Sequence, residues 1–156
     1  MEDDGADDLE RAKFLGEFRH TLDAKGRVIL PANFRDELQE GLVVAPGQDK
    51  CLTVYPPDEW SKALKDIRTL RRTDVKERQF ARVLTSQAHP NTLDRQGRVT
   101  IPARLRTYAG LSKDVMVVGR DAVAELWNAE SWERYLEQGM EEFANTAQPF
   151  DVGGSF

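Results

Sequence analysis

The chain has 156 residues, 40% of them hydrophobic and 31% charged, enough for one domain of ordinary size or two very small ones. Its formal net charge is −5, which argues at first against a polyanionic partner. No run of about 18 apolar residues occurs, which excludes a transmembrane helix; the acidic start Met1-Glu2-Asp3-Asp4-Gly5 is unlike a secretory signal, so a cytoplasmic location is expected.

Taken in chain order, residues 1–12 hold six acids and one base and read as a disordered acidic extension. Residues 13–66 read as a first structural unit. A strand over about 14–22 leads into the turn Ala24-Lys25-Gly26, and a second strand runs from Arg27 to Leu30. Pro31 ends that strand and suits the start of a short helix. Phe34 and Leu38 share one face of this helix, and Gly41 is its stop. Strands Leu42–Ala45 and Cys51–Tyr55 follow, then a helix opened by Pro57 or Asp58 with Trp60, Leu64 and Ile67 on its apolar face. Cys51 has no partner for an internal disulfide and reads as a small buried hydrophobe. With only His20 and His89 beside it, no metal-ligand spacing exists, and neither a metal nor another cofactor is expected.

Residues 67–83 read as a helical connector, within a basic stretch that runs from Lys62 and Lys65 through Arg68, Arg71, Arg72, Lys76, Arg78 and Arg82. Residues 84–143 repeat the first unit. A strand over 84–93 precedes the turn Arg95-Gln96-Gly97 and a strand from Arg98 to Ile101; Pro102 opens a helix carrying Leu105 and Ala109 and closed by Gly110. Strands Val115–Val118 and Val123–Trp127 lead to a last helix, N-capped by Asn128, with Trp132 and Leu136 on its apolar face. Both tryptophans read as packing anchors, because their spacing matches the neighbouring leucines. Residues 144–156 read as a flexible tail. Residues 1–12 and 137–156 together hold ten acids and one base. Without them 17 acids face 21 bases, so residues 13–136 are mildly basic.

The repeat is explicit. Residues 21–35 and 92–106 are identical at nine of fifteen positions at an offset of 71, too many for chance, and Trp60 aligns with Trp132 after one inserted residue. Inside each copy, Asp-x-x-x-Arg flanks the turn: Asp23 with Arg27, and Asp94 with Arg98. As an exposed ion pair alone, each would contribute about 0–1 kcal/mol, a weak reason to build it twice. A guanidinium on a rigid loop binds phosphate, or the O6/N7 edge of guanine, in bidentate fashion. The carboxylate would orient the arginine, so less rotamer freedom is lost on binding. Lys25 and Arg95 add charge beside it, and Arg19, Arg35, Arg104 and Arg106 extend the positive field. The candidate DNA-binding residues are therefore Asp23, Lys25, Arg27, Asp94, Arg95 and Arg98. No Gly-x-Ser-x-Gly, Walker loop or dinucleotide fingerprint occurs. The positive neighbours would lower the carboxyl pKa values. Neither enzymatic activity nor a small-molecule substrate is expected.

Residues Phe14 to Val28, with Leu30-Pro31-Ala32, resemble the N-terminal half of the MraZ family; Asp94 to Val99, with Ile101-Pro102, resemble its second half. The resemblance runs from about Lys13 to Phe143 and extends to the broader AbrB-like swapped-hairpin proteins. It implies an α+β fold of two tandem ββαββα repeats forming one swapped-hairpin β-barrel with peripheral helices. It further implies a nucleoid-associated transcriptional regulator, usually a repressor, that binds repeated boxes in double-stranded DNA ahead of the division and cell-wall gene cluster. The same resemblance implies a ring-shaped homo-oligomer with its Asp-x-x-x-Arg turns toward DNA. The alternative is a protein-interaction scaffold whose Asp-x-x-x-Arg pairs only brace turns. The first turn reads Ala24-Lys25 and the second Arg95-Gln96, so equivalent contacts are not required of the two.

Overall fold

Each repeat has one apolar face that it cannot cover alone, and the arrangement of strands follows from that need. The computed structural model describes residues 13–146; the acidic extension expected over 1–12, and the expected tail from residue 147 onward, lie outside the described residues. The first repeat consists of β1 (Glu17–Thr21), β2 (Arg27–Ile29), α1 (Ala32–Arg35) with the 3-10 turn Asp36–Leu38, β3 (Leu42–Pro46), β4 (Leu52–Tyr55) and α2 (Pro57–Arg68). After α3 (Val75–Gln87), the second repeat gives β5 (His89–Asn91), β6 (Arg98–Thr100), α4 (Ala103–Tyr108), β7 (Asp114–Arg120), β8 (Val123–Asn128) and α5 (Ala129–Asn145). The chain is thus a mixed α+β protein of two tandem ββαββα units, with five helices in the described residues.

The strands pair across the repeats. A six-stranded antiparallel sheet runs β1-β7-β8-β4-β3-β5, and a separate ribbon joins β2 to β6. The opening strand of each repeat therefore lies on a strand of the other, β1 on β7 and β5 on β3. Register makes the symmetry plain: Val28 faces Val99 in the ribbon, and Thr53 faces Glu125 where β4 meets β8. Each of these is a pair of equivalent residues from the two copies, so a pseudo-twofold axis passes between them.

Side chains in a strand alternate between faces. Val28 and Leu30, with Val99 and Ile101, consequently point inward and are buried, together with Phe34, Leu38 and Leu105 from the helices. Phe34 meets Phe14 and Phe18 edge-on at centroid distances of 5.0 and 5.4 Å. Cys51 is buried, as its strand pattern predicts, and burial pushes its thiol pKa up to about 12. Trp60 meets Tyr55 edge-on at 5.2 Å, and Trp132 meets Trp127 at 5.2 Å, so both tryptophans serve packing. Pro57 is the first residue of α2, and the Asn128 side chain accepts from the Ser131 amide at 3.0 Å, capping α5 as expected.

The strand expected from residue 84 begins later. Asp74 caps α3 by accepting from the Glu77 amide at 2.9 Å, and the helix runs through Gln87 with Leu84 buried beneath it. Pro90 lacks a donor and restricts the residue before it, so only His89–Asn91 remains for β5. The basic connector is likewise broken: α2 stops at Arg68 and α3 starts at Val75. At the other end, β1 is shorter than the expected 14–22. Gly16, at φ +93°, separates Glu17 from Phe14, which bridges to Asp121. No helix among the described residues is long and apolar enough to cross a membrane.

Candidate nucleic-acid interface

The two hairpin tips are built by one local rule. In the first, the Asp23 amide donates to the Arg27 carbonyl at 2.9 Å and the Gly26 amide to the Asp23 carbonyl at 3.0 Å. Asp23 Oδ1 accepts from the Lys25 and Arg27 amides, both at 2.9 Å, and Oδ2 accepts from Arg27 Nε at 2.7 Å. The second tip repeats this pattern. Asp94 Oδ1 accepts from the Gln96 and Arg98 amides at 2.9 Å, and Oδ2 from Arg98 Nε at 2.7 Å. Gly26 and Gly97 take φ +78° and +76°, which only glycine adopts without steric penalty.

Both carboxylates sit below the ordinary aspartate pKa. The largest cause is the backbone N–H of Arg27 or Arg98; the guanidinium of the same arginine and the amide of Lys25 or Gln96 add to it. They are therefore ionised at neutral pH and committed to their own turns. Each holds its arginine, Arg27 or Arg98, in place by the Nε edge. This leaves the Nη groups of each guanidinium for an outside acceptor. About a quarter of each arginine side chain is exposed, 26% for Arg27 and 28% for Arg98.

Tertiary register then sets the two arginines side by side. Because Val28 and Val99 face inward as partners, Arg27, Ile29, Arg98 and Thr100 all lie on the opposite, outward face of the ribbon. Arg27 faces Thr100 and Arg98 faces Ile29, so the arginines occupy diagonal positions across the pseudo-twofold axis. The ribbon is tied at both ends, the Ile101 amide donating to the Gly26 carbonyl at 2.8 Å and the Leu30 amide to the Gly97 carbonyl at 2.9 Å. Lys25 and Arg95 are exposed at the tips. The structure thus brings all six sequence-predicted residues to the two tips of one ribbon.

Two further residues belong here that sequence reasoning placed only in a general positive field. A Cβ on Gly26 would collide with the Arg106 guanidinium, and one on Gly97 would collide with Arg35. Each tip is therefore overlaid by an arginine from the other repeat's helix, Arg106 on the first and Arg35 on the second. Arg35 Nε also donates to the Leu30 carbonyl at 2.8 Å. Burial, helped by the charge of Arg35, holds the His20 pKa below its ordinary value. The signal available in sequence was the matched pair itself, 71 residues apart, but nothing in it says which turn each arginine covers.

The family model described as "MraZ protein, putative antitoxin-like" matches the chain twice, over residues 13–83 and 84–152. The chain belongs to the MraZ family. The two matches correspond to the two ββαββα units, so the internal symmetry is that of the MraZ repeat. Among curated MraZ relatives, "Transcriptional regulator MraZ" of Frankia alni is 47% identical over 135 residues, spanning 86% of this chain and 94% of its own. The protein of that name from Natranaerobius thermophilus is 44% identical, over 89% of this chain and 99% of its own. The one from Kineococcus radiotolerans is 46% identical, over 85% and 92%.

Proposed function

We propose that this chain is a sequence-specific DNA-binding transcriptional regulator, a repressor of the division and cell-wall gene cluster. In this reading it works in the cytoplasm on the nucleoid, as a ring-shaped homo-oligomer on repeated boxes in double-stranded DNA, and its two repeats close one swapped-hairpin barrel. The residues that meet DNA are Lys25, Arg27, Arg95 and Arg98, with Asp23 and Asp94 orienting the two braced arginines. The relatives' shared name, transcriptional regulator, supports the class of function.

One observation carries the DNA part: a two-stranded antiparallel ribbon whose outward face displays two braced arginines about a pseudo-twofold axis. The major groove of B-DNA admits such a ribbon, and an arginine held by its Nε edge still offers donors to guanine O6 and N7 or to a phosphate. Bracing removes rotamer freedom before binding, so less is lost on contact. A single ribbon makes few contacts, and several copies on one assembly raise apparent affinity through effective concentration.

The test is selection of bound duplexes from random DNA, repeated with Arg27→Ala and Arg98→Ala. Each substitution is expected to reduce affinity by about 1–3 kcal/mol and to relax one position of the selected site. Parent binding is expected to fall with a log–log salt slope of about −0.9 per phosphate contact. Unchanged affinity in both variants would leave the tips as turn braces on an interaction scaffold.

A further inference from the structure

Two features of the molecule find no use in the ribbon. The first is the far half of α5. Trp132, Leu136, Met140 and Phe143 recur on one side of this helix at spacings of four, four and three, an apolar stripe. Only its start packs on the chain: beyond Leu136 every described side chain is exposed, Met140 at 63% and Phe143 at 80%. Acids flank the stripe, Glu133 and Glu137 on one side and Glu142 on the other, and no base follows Arg134 in the helix. None of these glutamates makes an ion pair among the described residues.

The second feature is the corner between α2 and α3. It holds a cleft of about 430 Å³ with an apolar floor of Ile67, Leu70 and Ala81, walled by Arg68, Arg71, Arg72, Arg78 and Arg82 and by one acid, Glu77. Arg71 is spent on Asp74 and Glu77, and Arg78 donates to the Arg72 carbonyl. Arg68, Arg72 and Arg82 have no carboxylate partner among the described residues.

We propose that these two surfaces are halves of one interface: the acidic, apolar end of α5 from one copy seats in the arginine corner of the next. Phe143 and Met140 would cover the Ile67, Leu70 and Ala81 floor, while Glu137 and Glu142 meet the free arginines at the rim. Charge complementarity selects a second copy as the occupant, because among the described residues the chain supplies both an acidic stripe without ion pairs and a cleft in which Arg68, Arg72 and Arg82 have no carboxylate partner. A helix rises about 1.5 Å per residue, so α5 carries Phe143 roughly 16 Å past Trp132, where its side chain is 80% exposed among the described residues. The contact joins two different patches and is therefore head-to-tail, the type that closes into a ring when the rotation permits. The inference rests on the assembly part of the function proposed above, and not on its DNA part.

The test reverses charge on each side in the full-length protein: Glu137→Lys with Glu142→Lys on α5, and Arg68→Glu with Arg82→Glu in the corner. Mass is read by analytical ultracentrifugation, folding by thermal melting, and DNA binding on a selected duplex in parallel. The parent is expected to sediment as a multiple of 17.7 kDa. Each reversed variant should shift to smaller species that still melt cooperatively, and the chain carrying all four changes should recover the parent mass. A parent oligomer that neither variant disturbs would overturn the interface and leave the ring reading standing. A parent at 17.7 kDa would overturn both. A corner variant that keeps its mass but loses DNA binding would make the arginines phosphate contacts, and would overturn the interface as well.

Discussion

The tips of the two hairpins carry the same five hydrogen bonds, yet what they show to the outside differs. In both, aspartate, glycine and arginine fix the turn to within about 0.1 Å in every donor–acceptor distance. Between them the first tip shows Ala24-Lys25 and the second Arg95-Gln96, so the added positive charge sits one residue earlier in the second. Turn geometry demands three residue types and leaves the middle pair free. The frame is thus common to both copies, and the free pair is where one tip departs from the other.

A further difference between the copies lies beneath the tips. Phe34 is buried against two other aromatic rings, while its buried counterpart, Leu105, has no ring to offer. Phe34→Ala is expected to destabilise by about 3–5 kcal/mol and Leu105→Ala by about 2–4 kcal/mol, read from denaturant midpoints at constant m. Equal losses would show that the second copy packs as tightly without the ring cluster. Outside the core, Lys25→Ala and Arg95→Ala each remove the free charge of one tip. Under the DNA-binding reading each lowers the log–log salt slope by about 0.9 if its charge meets a phosphate. A change in only one of the two would show that the tips meet DNA differently.

The smallest effect concerns the braces. Asp23 and Asp94 have folded pKa values below the ordinary aspartate value of 3.8, first through the Arg27 and Arg98 amides. A lowered folded pKa gives a contribution that is full above the unfolded value and is lost as pH falls through the folded one. The braces are therefore intact at neutral pH. They release only under acid, below the ordinary aspartate range. Carboxyl-carbon NMR titration should find both groups protonating at lower pH than an unstructured aspartate, and alike in the two tips. A normal value in either would mean that the brace there is open in solution.

The hairpin tips were legible in the sequence because their interactions are local. An aspartate, a glycine three residues on and an arginine four residues on define the turn, and a second copy at an offset of 71 says the same thing twice. The helix that runs through Gln87 was not legible. Residues 84–87 align with residues 13–16 of the other copy, where the sequence pattern predicts the start of a strand, and only the Asp74 cap and the burial of Leu84 extend the helix into them.

The sequence by itself determined that there are two like units, where their turns lie and which residues brace them, since each depends on neighbours within about four positions. Tertiary structure alone decided that Val28 faces Val99, that Arg27 and Arg98 therefore share one outward face, and that Arg106 and Arg35 each lie over the other copy's turn. Those outcomes depend on pairing between segments some 70 residues apart. Register is set there by which faces become buried together, and no local pattern encodes that.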